Sequence, residues 1–170
     1  MRGVLDYGDL IASTVNLLER SDAAAWVLYK LDQGIDHILI DEAQDTSPEQ
    51  WSIVKRLSSE FFVGEGARDG IVRTVFAVGD EKQSIFSFQG AAPREFGLNK
   101  QEFQKLVERA GDTLREVDLV ESRRSTREVL GFVDTVFAGS ARNGLTSDDL
   151  AIQHTPYRKE AKGRVEFWPV

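Results

Sequence analysis

Four runs of apolar residues lack helical spacing and predict β-strands. In Ile35–Ile40 the aliphatic side chains are nearly continuous, as in a strand buried on both faces of a parallel sheet. Val72–Val78 is a β-branched run of the same kind, and Leu114–Val120 predicts a third strand. Arg164–Trp168 is expected to form a closing strand. The intervals between these runs are long enough to contain helices.

Apolar positions three and four residues apart predict those helices. Residues 9–20 show this spacing, and a second helix is expected over Ala23–Leu31, with Ser21 as N-cap and Gly34 at its end. Three later helices are expected to start at the capping sequences Ser47–Gln50, Asn99–Glu102 and Ser125–Glu128. Strands that alternate with helices predict an α/β layered fold.

Composition narrows the class of protein but not its function. With 41% hydrophobic and 29% charged residues, the 170-residue chain has the composition of a globular domain. The sequence has no cysteine, no apolar run of membrane-spanning length and no signal-peptide pattern, so we expect a cytoplasmic setting. A net charge of −7 argues against a surface built for nonspecific duplex binding but allows single-strand binding by stacking.

The first predicted strand ends in a cluster of acids. Asp41, Glu42 and Asp45 follow Ile40 directly, and ligands of parallel sheets bind at the carboxyl ends of strands. Two adjacent carboxylates there suit nucleoside triphosphate hydrolysis. Asp41 would hold Mg²⁺, and Glu42 would orient and deprotonate the attacking water. The plainer alternative for an isolated Asp-Glu pair is a helix cap or a solvated turn.

Two further segments carry candidate chemistry. After the second strand, Gln83 is placed to contact a γ-phosphate or its attacking water, and Phe86 and Phe88 suit base stacking or, alternatively, a protein core. After the third strand, Arg123 and Arg124 precede a helix start, where an anion can bind; surface arginines without a role are the alternative.

Together these segments resemble the motifs of superfamily 1 DNA helicases of the UvrD, Rep and PcrA type. Ile40–Asp45 resembles motif II, the Walker B element; Gly79–Ala91 resembles motif III; Leu119–Ser125 resembles motif IV; and Asp6–Leu10 resembles a segment that lies along single-stranded DNA. The residues in and around motifs II and III are most similar to the AddA branch of the family, which works with an AddB nuclease subunit in double-strand break repair.

The resemblance implies a RecA-like fold and a set of residue roles. Residues 1–120 would belong to a first RecA-like domain and 121–170 to the start of a second. ATP and Mg²⁺ would be the cofactors and single-stranded DNA and duplex ends the substrates. The implied roles are Mg²⁺ binding for Asp41 and Glu42; catalysis for Glu42, Gln83 and Arg124; nucleotide contact for Asp41, Gln83 and Arg124; and DNA contact for Tyr7, Phe86, Phe88 and Gln89.

The chain also departs from the family pattern. Gln89 stands where many relatives carry arginine, Phe86 and Phe88 replace a common tyrosine and tryptophan, and Arg123 replaces a frequent tyrosine. The sequence has no Gly-x-x-x-x-Gly-Lys-Ser/Thr phosphate loop. The resemblance therefore implies an internal piece of a helicase, inactive as an ATPase by itself.

Two other function classes stay open from the sequence. One is a Mg²⁺-dependent nuclease or phosphohydrolase that would use Asp41, Glu42, Asp45 and Asp80 as metal ligands. The other is a non-catalytic module that binds DNA or a protein partner, and the missing phosphate loop favours it for the isolated chain.

Overall fold

The computed structural model describes residues 4–19, 22–62, 70–84, 93–142 and 153–168. These residues divide into two compact units, Met1–Leu114 and Arg115–Val170. Phe86, Phe88 and Gln89, the expected DNA contacts after the second strand, lie outside the described residues. Each unit is described by itself below.

The first unit contains four helices and two strands in the described ranges. In chain order these are α1 (Tyr7–Glu19), α2 (Ala24–Asp32), β1 (His37–Ile40), α3 (Pro48–Leu57), β2 (Thr74–Ala77) and α4 (Pro93–Arg109). Short 3₁₀ turns at Ala43–Asp45, Ser59–Phe62 and Glu81–Gln83 connect them. Helices thus separate the strands, as the sequence pattern predicts.

β1 and β2 form a parallel pair in which His37 is opposite Thr74 and Ile40 is opposite Ala77. Ile38, Ile40 and Val75 point to the covered face, where they meet the apolar core. The other face is open: Leu39 and its partner Phe76 are 72% and 57% exposed. The expectation that β1 is buried on both faces is therefore wrong for the described residues, because the helices that contact this sheet cover one face only.

The core of the first unit lies between the covered sheet face, α3 and α4. Trp51 from α3 and Phe103 from α4 are 2% and 7% exposed, with ring centroids 6.5 Å apart. Phe62 contacts Phe103 edge-on at 5.9 Å. α4 also packs against the turn Ala43–Asp45 that follows β1. The core therefore supports the segment in which the acidic residues lie.

The helix starts show which local predictions hold. The capping box of α3 is present: Gln50 N–H donates to Ser47 Oγ at 3.3 Å, and Ser47 N–H donates to Gln50 Oε1 at 2.8 Å. α1 begins at Tyr7, two residues before the predicted position, because Asp6 and Asp9 exchange backbone-to-carboxylate hydrogen bonds of the same reciprocal kind. α2 is capped by Ala23, so Ser21 is not its N-cap.

The predicted helix start at Asn99 is wrong. α4 begins at Pro93, and proline suits the first helical position. Asn99 is instead a buried residue within this helix, and its Nδ2 donates to Glu95 O at 2.6 Å. The sequence Asn99–Glu102 imitates a capping box because a polar residue in a helix interior can satisfy itself on the preceding turn.

The second unit contains one helix and one small sheet in its described residues. These elements are β3 (Glu121–Ser122), α5 (Arg127–Val136), whose N-cap is Thr126, and β4 (Thr155–Pro156), which pairs with β3 in parallel. Asp134 of α5 accepts hydrogen bonds from the backbone and the ring of His154, at 3.2 Å and 2.5 Å. Glu128 accepts one from Gly163 N–H at 2.8 Å. The two backbone N–H groups of Glu128 and Gly163 lower the pKa of this carboxyl.

Two strand predictions in this unit are wrong. Neither Leu114–Val120 nor Arg164–Trp168 is a strand. Val117 and Leu119 are 79% and 81% exposed, and pairing starts only at Glu121. Apolar runs resemble strands in sequence, but a strand also needs a neighbour for its backbone groups, and none of the described residues pairs with these two runs.

The described elements of both units are helices and short parallel strands, which is consistent with the predicted α/β class. Within the described ranges, no helix has the length and apolar character that crossing a membrane would require.

Candidate functional site

The carboxyl ends of β1 and β2 are joined by backbone hydrogen bonds that continue past the strands. Val78 N–H donates to Ile40 O, and Ala43 N–H donates to Val78 O, both at 2.9 Å. The acidic segment after β1 therefore lies against the segment after β2. This is the edge of a parallel sheet at which ligands bind.

Asp41 and Glu42 are exposed at this edge. Glu42 has φ 49° and ψ 46°, in the left-handed region, and it is the one non-glycine residue with positive φ among those described. Asp41 Oδ1 accepts a hydrogen bond from Glu42 N–H at 2.9 Å. A left-handed glutamate is strained, and such strain persists where the surrounding structure holds the residue, commonly at functional sites.

Gln44 connects the two strand ends from a buried position. Its side-chain Nε2 donates to Glu42 Oε2 at 2.7 Å, and its Oε1 accepts from Asp80 N–H at 2.9 Å. Gln44 is 1% exposed. Because Asp80 N–H can only donate, the amide orientation is fixed: its oxygen faces Asp80 and its nitrogen faces Glu42.

Asp80 organises the segment after β2. Its carboxylate accepts from Lys82 N–H at 3.2 Å and from Gln83 Nε2 at 3.0 Å, and Lys82 Nζ lies 3.0 Å from the same oxygen as the Lys82 N–H bond. Burial raises the pKa of Asp80, but the hydrogen bonds from Gln83 and Lys82 and the lysine charge outweigh it, so the pKa lies below its usual value of 3.8. Asp80 is therefore ionised at neutral pH.

A second polar contact joins the two segments. Ser84 Oγ donates to Asp45 Oδ1 at 3.1 Å. The segments after β1 and β2 thus touch at Gln44–Asp80 and at Asp45–Ser84, and both contacts are partly buried. This pair of contacts fixes the spacing between Glu42 and Gln83 more firmly than either would alone.

Comparison with known proteins identifies the family. Residues 1–104 match the UvrD/REP helicase N-terminal domain. The chain belongs to the UvrD/REP helicase family. The predicted resemblance is thereby confirmed at the family level.

Individual relatives in this family give the same answer. The chain is 35% identical over 136 residues to AddA, the first subunit of the ATP-dependent helicase/nuclease, from Listeria monocytogenes serotype 4a, covering 80% of this chain and 10% of that protein. AddA of Latilactobacillus sakei is 33% identical, with 80% and 14% covered. The ATP-dependent DNA helicase Rep of Salmonella typhimurium is 33% identical over 137 residues, with 81% and 17% covered. The chain thus spans between a tenth and a sixth of these relatives.

The residues at the site fit Mg²⁺ of one kind only. Among the described residues, no group of three or more His, Cys, Asp or Glu side chains could hold a metal ion. Asp45 and Asp80 already accept hydrogen bonds from protein donors at both carboxylate oxygens. Asp41 and Glu42 each keep one oxygen for which no such bond is seen. One or two carboxylates suit a Mg²⁺ that also takes water and phosphate oxygens, not a site built from protein ligands alone.

The structure brings together three of the predicted site residues and places two others elsewhere. Asp41, Glu42 and Gln83 belong to the joined strand ends, with Gln83 exposed and bound to Asp80. Tyr7 is the first residue of α1 and is 86% exposed. Arg124 is exposed and precedes α5 in the second unit. Its neighbour Arg123 stacks on Tyr157, with the guanidinium 4.9 Å from the ring centroid.

Sequence reasoning misses the residues that hold this edge together. The sequence presents Gln44 only as part of a motif, and Gly79 only as the end of a strand. A Cβ at Gly79 would lie 2.6 Å from Gln44 Oε1 and 3.1 Å from Ala43 N, so a side chain there would displace the bridge. The sequence signals are a glutamine between acids and a glycine immediately before Asp80, but their contact is long-range and has no local pattern.

Proposed function

We propose that this chain is part of an ATP-dependent DNA helicase of the AddA type and carries the acidic half of its ATPase site. The observation that supports this most directly is the joining of the acidic end of β1 to the Asp80–Ser84 segment through Gln44. Family membership adds independent support. The fold we propose for the whole domain is RecA-like, with the first domain reaching residue 120 and the second starting at 121.

In this proposal, Glu42 is the catalytic base. Gln44 occupies Oε2 of Glu42, which leaves Oε1 for the attacking water. Asp41 would hold Mg²⁺ with Glu42 nearby, and the ion would neutralise charge on the phosphates when bound. Gln83 would contact the γ-phosphate or the water after leaving Asp80, and Arg124 would stabilise charge on the γ-phosphate.

The DNA track in this proposal is built from stacking side chains. Tyr7 is the described member, and its exposed ring is available to a base. We assign Phe86, Phe88 and Gln89 to the same track because they follow Gln83 directly in sequence. The substrates would be single-stranded DNA and duplex ends, and the partner an AddB-like nuclease subunit, in recombinational repair of double-strand breaks. The helicase/nuclease names of the relatives support this assignment.

The test is ATP hydrolysis by the full-length protein with and without single-stranded DNA. Replacing Glu42 with Gln keeps the side-chain size but removes the base, so kcat should fall by roughly 10²- to 10⁴-fold while nucleotide binding persists. Glu49→Gln is the matched control: it makes the same change on an exposed residue in the first turn of α3, and its turnover should equal that of the unaltered protein. DNA-independent turnover, or full activity of Glu42→Gln, would contradict the proposal.

A second candidate for the isolated chain is a non-catalytic module that binds single-stranded DNA. The exposed Tyr7 favours it, together with the absence of a phosphate loop from the 170-residue sequence. Fluorescence titration of the isolated chain with oligothymidylate separates the two: affinity that is indifferent to ATP and Mg²⁺ supports a binding module. The nuclease alternative has no comparable support, since the described acids form no metal cluster.

A further inference from the structure

Gln44 is built to report the position of one strand end to the other. It is 1% exposed, and its amide spans the gap between Glu42 Oε2 at 2.7 Å and Asp80 N–H at 2.9 Å. A flip of the amide would place two donors against Asp80 N–H and an acceptor against a carboxylate. The bridge therefore has one stable orientation.

The surroundings of the bridge leave it little freedom. Gly79 brings its backbone so close that an added Cβ would be 2.6 Å from Gln44 Oε1. The Ala43–Asp45 turn is packed against α4, and Ala43 itself is 1% exposed. Glu42, by contrast, is exposed and held in a left-handed conformation. Movement of the Gly79–Ser84 segment would thus be passed to the carboxylate of Glu42, the less constrained end of the bridge.

We propose that Gln44 is a positioning residue that transmits DNA-dependent movement of the Gly79–Ser84 segment to Glu42. This inference rests on the proposed function, in which Glu42 is the base and the DNA track follows Ser84. Asp80 N–H would pull on the amide oxygen, and the amide nitrogen would move Glu42 Oε2 with it. Glu42 would be aligned with the attacking water only when DNA sets the position of that segment.

The alternative is that Gln44 only satisfies a buried backbone N–H group. The two roles differ in which hydrogen bond matters. Gln44→Glu keeps an acceptor for Asp80 N–H but replaces the donor to Glu42 with a second carboxylate, and like charges so close repel each other. Adding Glu42→Gln restores a donor–acceptor pair with the roles exchanged. A purely structural role gives this exchange no reason to restore communication with DNA.

The experiment measures how oligothymidylate changes the affinity of the full-length protein for a fluorescent ATP analogue with Mg²⁺. Four proteins are compared: unaltered, Glu42→Gln, Gln44→Glu and the double variant Glu42→Gln/Gln44→Glu. We expect Gln44→Glu to lose the DNA effect on affinity and to lower DNA-stimulated kcat at least about tenfold, more than it changes KM. The double variant should regain the DNA effect on affinity seen in Glu42→Gln, without regaining turnover.

Gln104→Glu is the matched control. Gln104 Nε2 donates to Glu108 Oε1 at 2.9 Å on the exposed side of α4, so the same substitution breaks the same kind of bond away from the strand ends. It should leave the DNA effect unchanged. Thermal unfolding of each metal-free protein checks folding, and Gln44→Asn, which keeps both amide groups on a shorter chain, replaces Gln44→Glu if that variant does not fold.

The outcomes separate the two proposals. If the unaltered protein shows no DNA effect on turnover, the proposed function fails and the positioning role fails with it. If the unaltered protein responds to DNA and Gln44→Glu responds equally, the positioning role alone is overturned. The same holds if the double variant is as insensitive to DNA as Gln44→Glu, because the restored hydrogen bond would then have no effect on communication.

Discussion

Glu42 shows how a single residue is prepared by its neighbours. A left-handed backbone at a non-glycine residue costs on the order of 1–3 kcal/mol, and Glu42 adopts it at φ 49°. Two hydrogen bonds hold it there: its N–H donates to Asp41 Oδ1, and its carboxylate accepts from Gln44. A hydrogen bond to a charged group contributes about 1.5–3 kcal/mol. These contacts are thus of the size needed to offset the strain.

Tyr7 is the residue on which the proposed DNA track can be tested most directly. Its ring is 86% exposed, and the reciprocal Asp6–Asp9 hydrogen bonds fix the start of α1 on which it stands. Stacking contributes roughly 1–3 kcal/mol per base, so Tyr7→Ala should weaken binding of oligothymidylate by the full-length protein by about five-fold or more. Fluorescence anisotropy measures the affinity.

The controls for Tyr7 separate stacking from folding. Tyr7→Phe keeps the ring and should bind as the unaltered protein does. Tyr29→Ala removes another exposed tyrosine, on α2, and should have no effect on DNA affinity. Equal affinity for Tyr7→Ala and Tyr7→Phe would remove Tyr7 from the track.

At the scale of elements, α3 connects the acidic turn to the core. Its N-cap Ser47 comes two residues after Asp45, and its Trp51 is buried against Phe103. The capping box satisfies N–H groups at the helix start that would otherwise lack partners. The position of the acidic turn therefore depends on the start of this helix as well as on β1.

Removing the cap should cost stability. Ser47→Ala deletes the acceptor for Gln50 N–H, and we expect the free energy of unfolding to fall by about 1 kcal/mol. Urea denaturation followed by circular dichroism measures the change. Ser140→Ala, an exposed serine at the start of the turn Ser140–Arg142, is the control and should stay within about 0.5 kcal/mol of the unaltered chain. A loss no larger than that of the control would show that the box contributes little.

The elements that could be predicted from the sequence are those fixed by local chemistry. β1, β2 and the box at Ser47 follow from apolar runs and short-range hydrogen bonds, so their positions are correct within a few residues. The predictions for Asn99 and for the runs Leu114–Val120 and Arg164–Trp168 are wrong because these segments depend on what packs or pairs with them. The Gln44–Asp80 bridge joins residues 36 positions apart, so no local pattern indicates it.

For the whole molecule, the open sheet face and the family comparison point the same way. The described residues of the first unit supply two strands, and Leu39 and Phe76 are exposed on the uncovered face. A two-stranded sheet is seldom stable without more structure around it. The relatives are about six to ten times longer than the part that this chain matches. ATP hydrolysis is therefore expected to be a property of the full-length protein.

The isolated 170-residue chain should show negligible ATP hydrolysis. Glu42 and Asp41 provide a base and a magnesium ligand, but the sequence has no Gly-x-x-x-x-Gly-Lys-Ser/Thr loop whose backbone N–H groups and lysine would hold the β- and γ-phosphates. Phosphate release by the purified chain should equal that of its Glu42→Gln variant, with or without oligothymidylate, while the full-length protein turns over. Turnover by the isolated chain that Glu42→Gln abolishes would mean that the acidic strand end can position phosphates without such a loop.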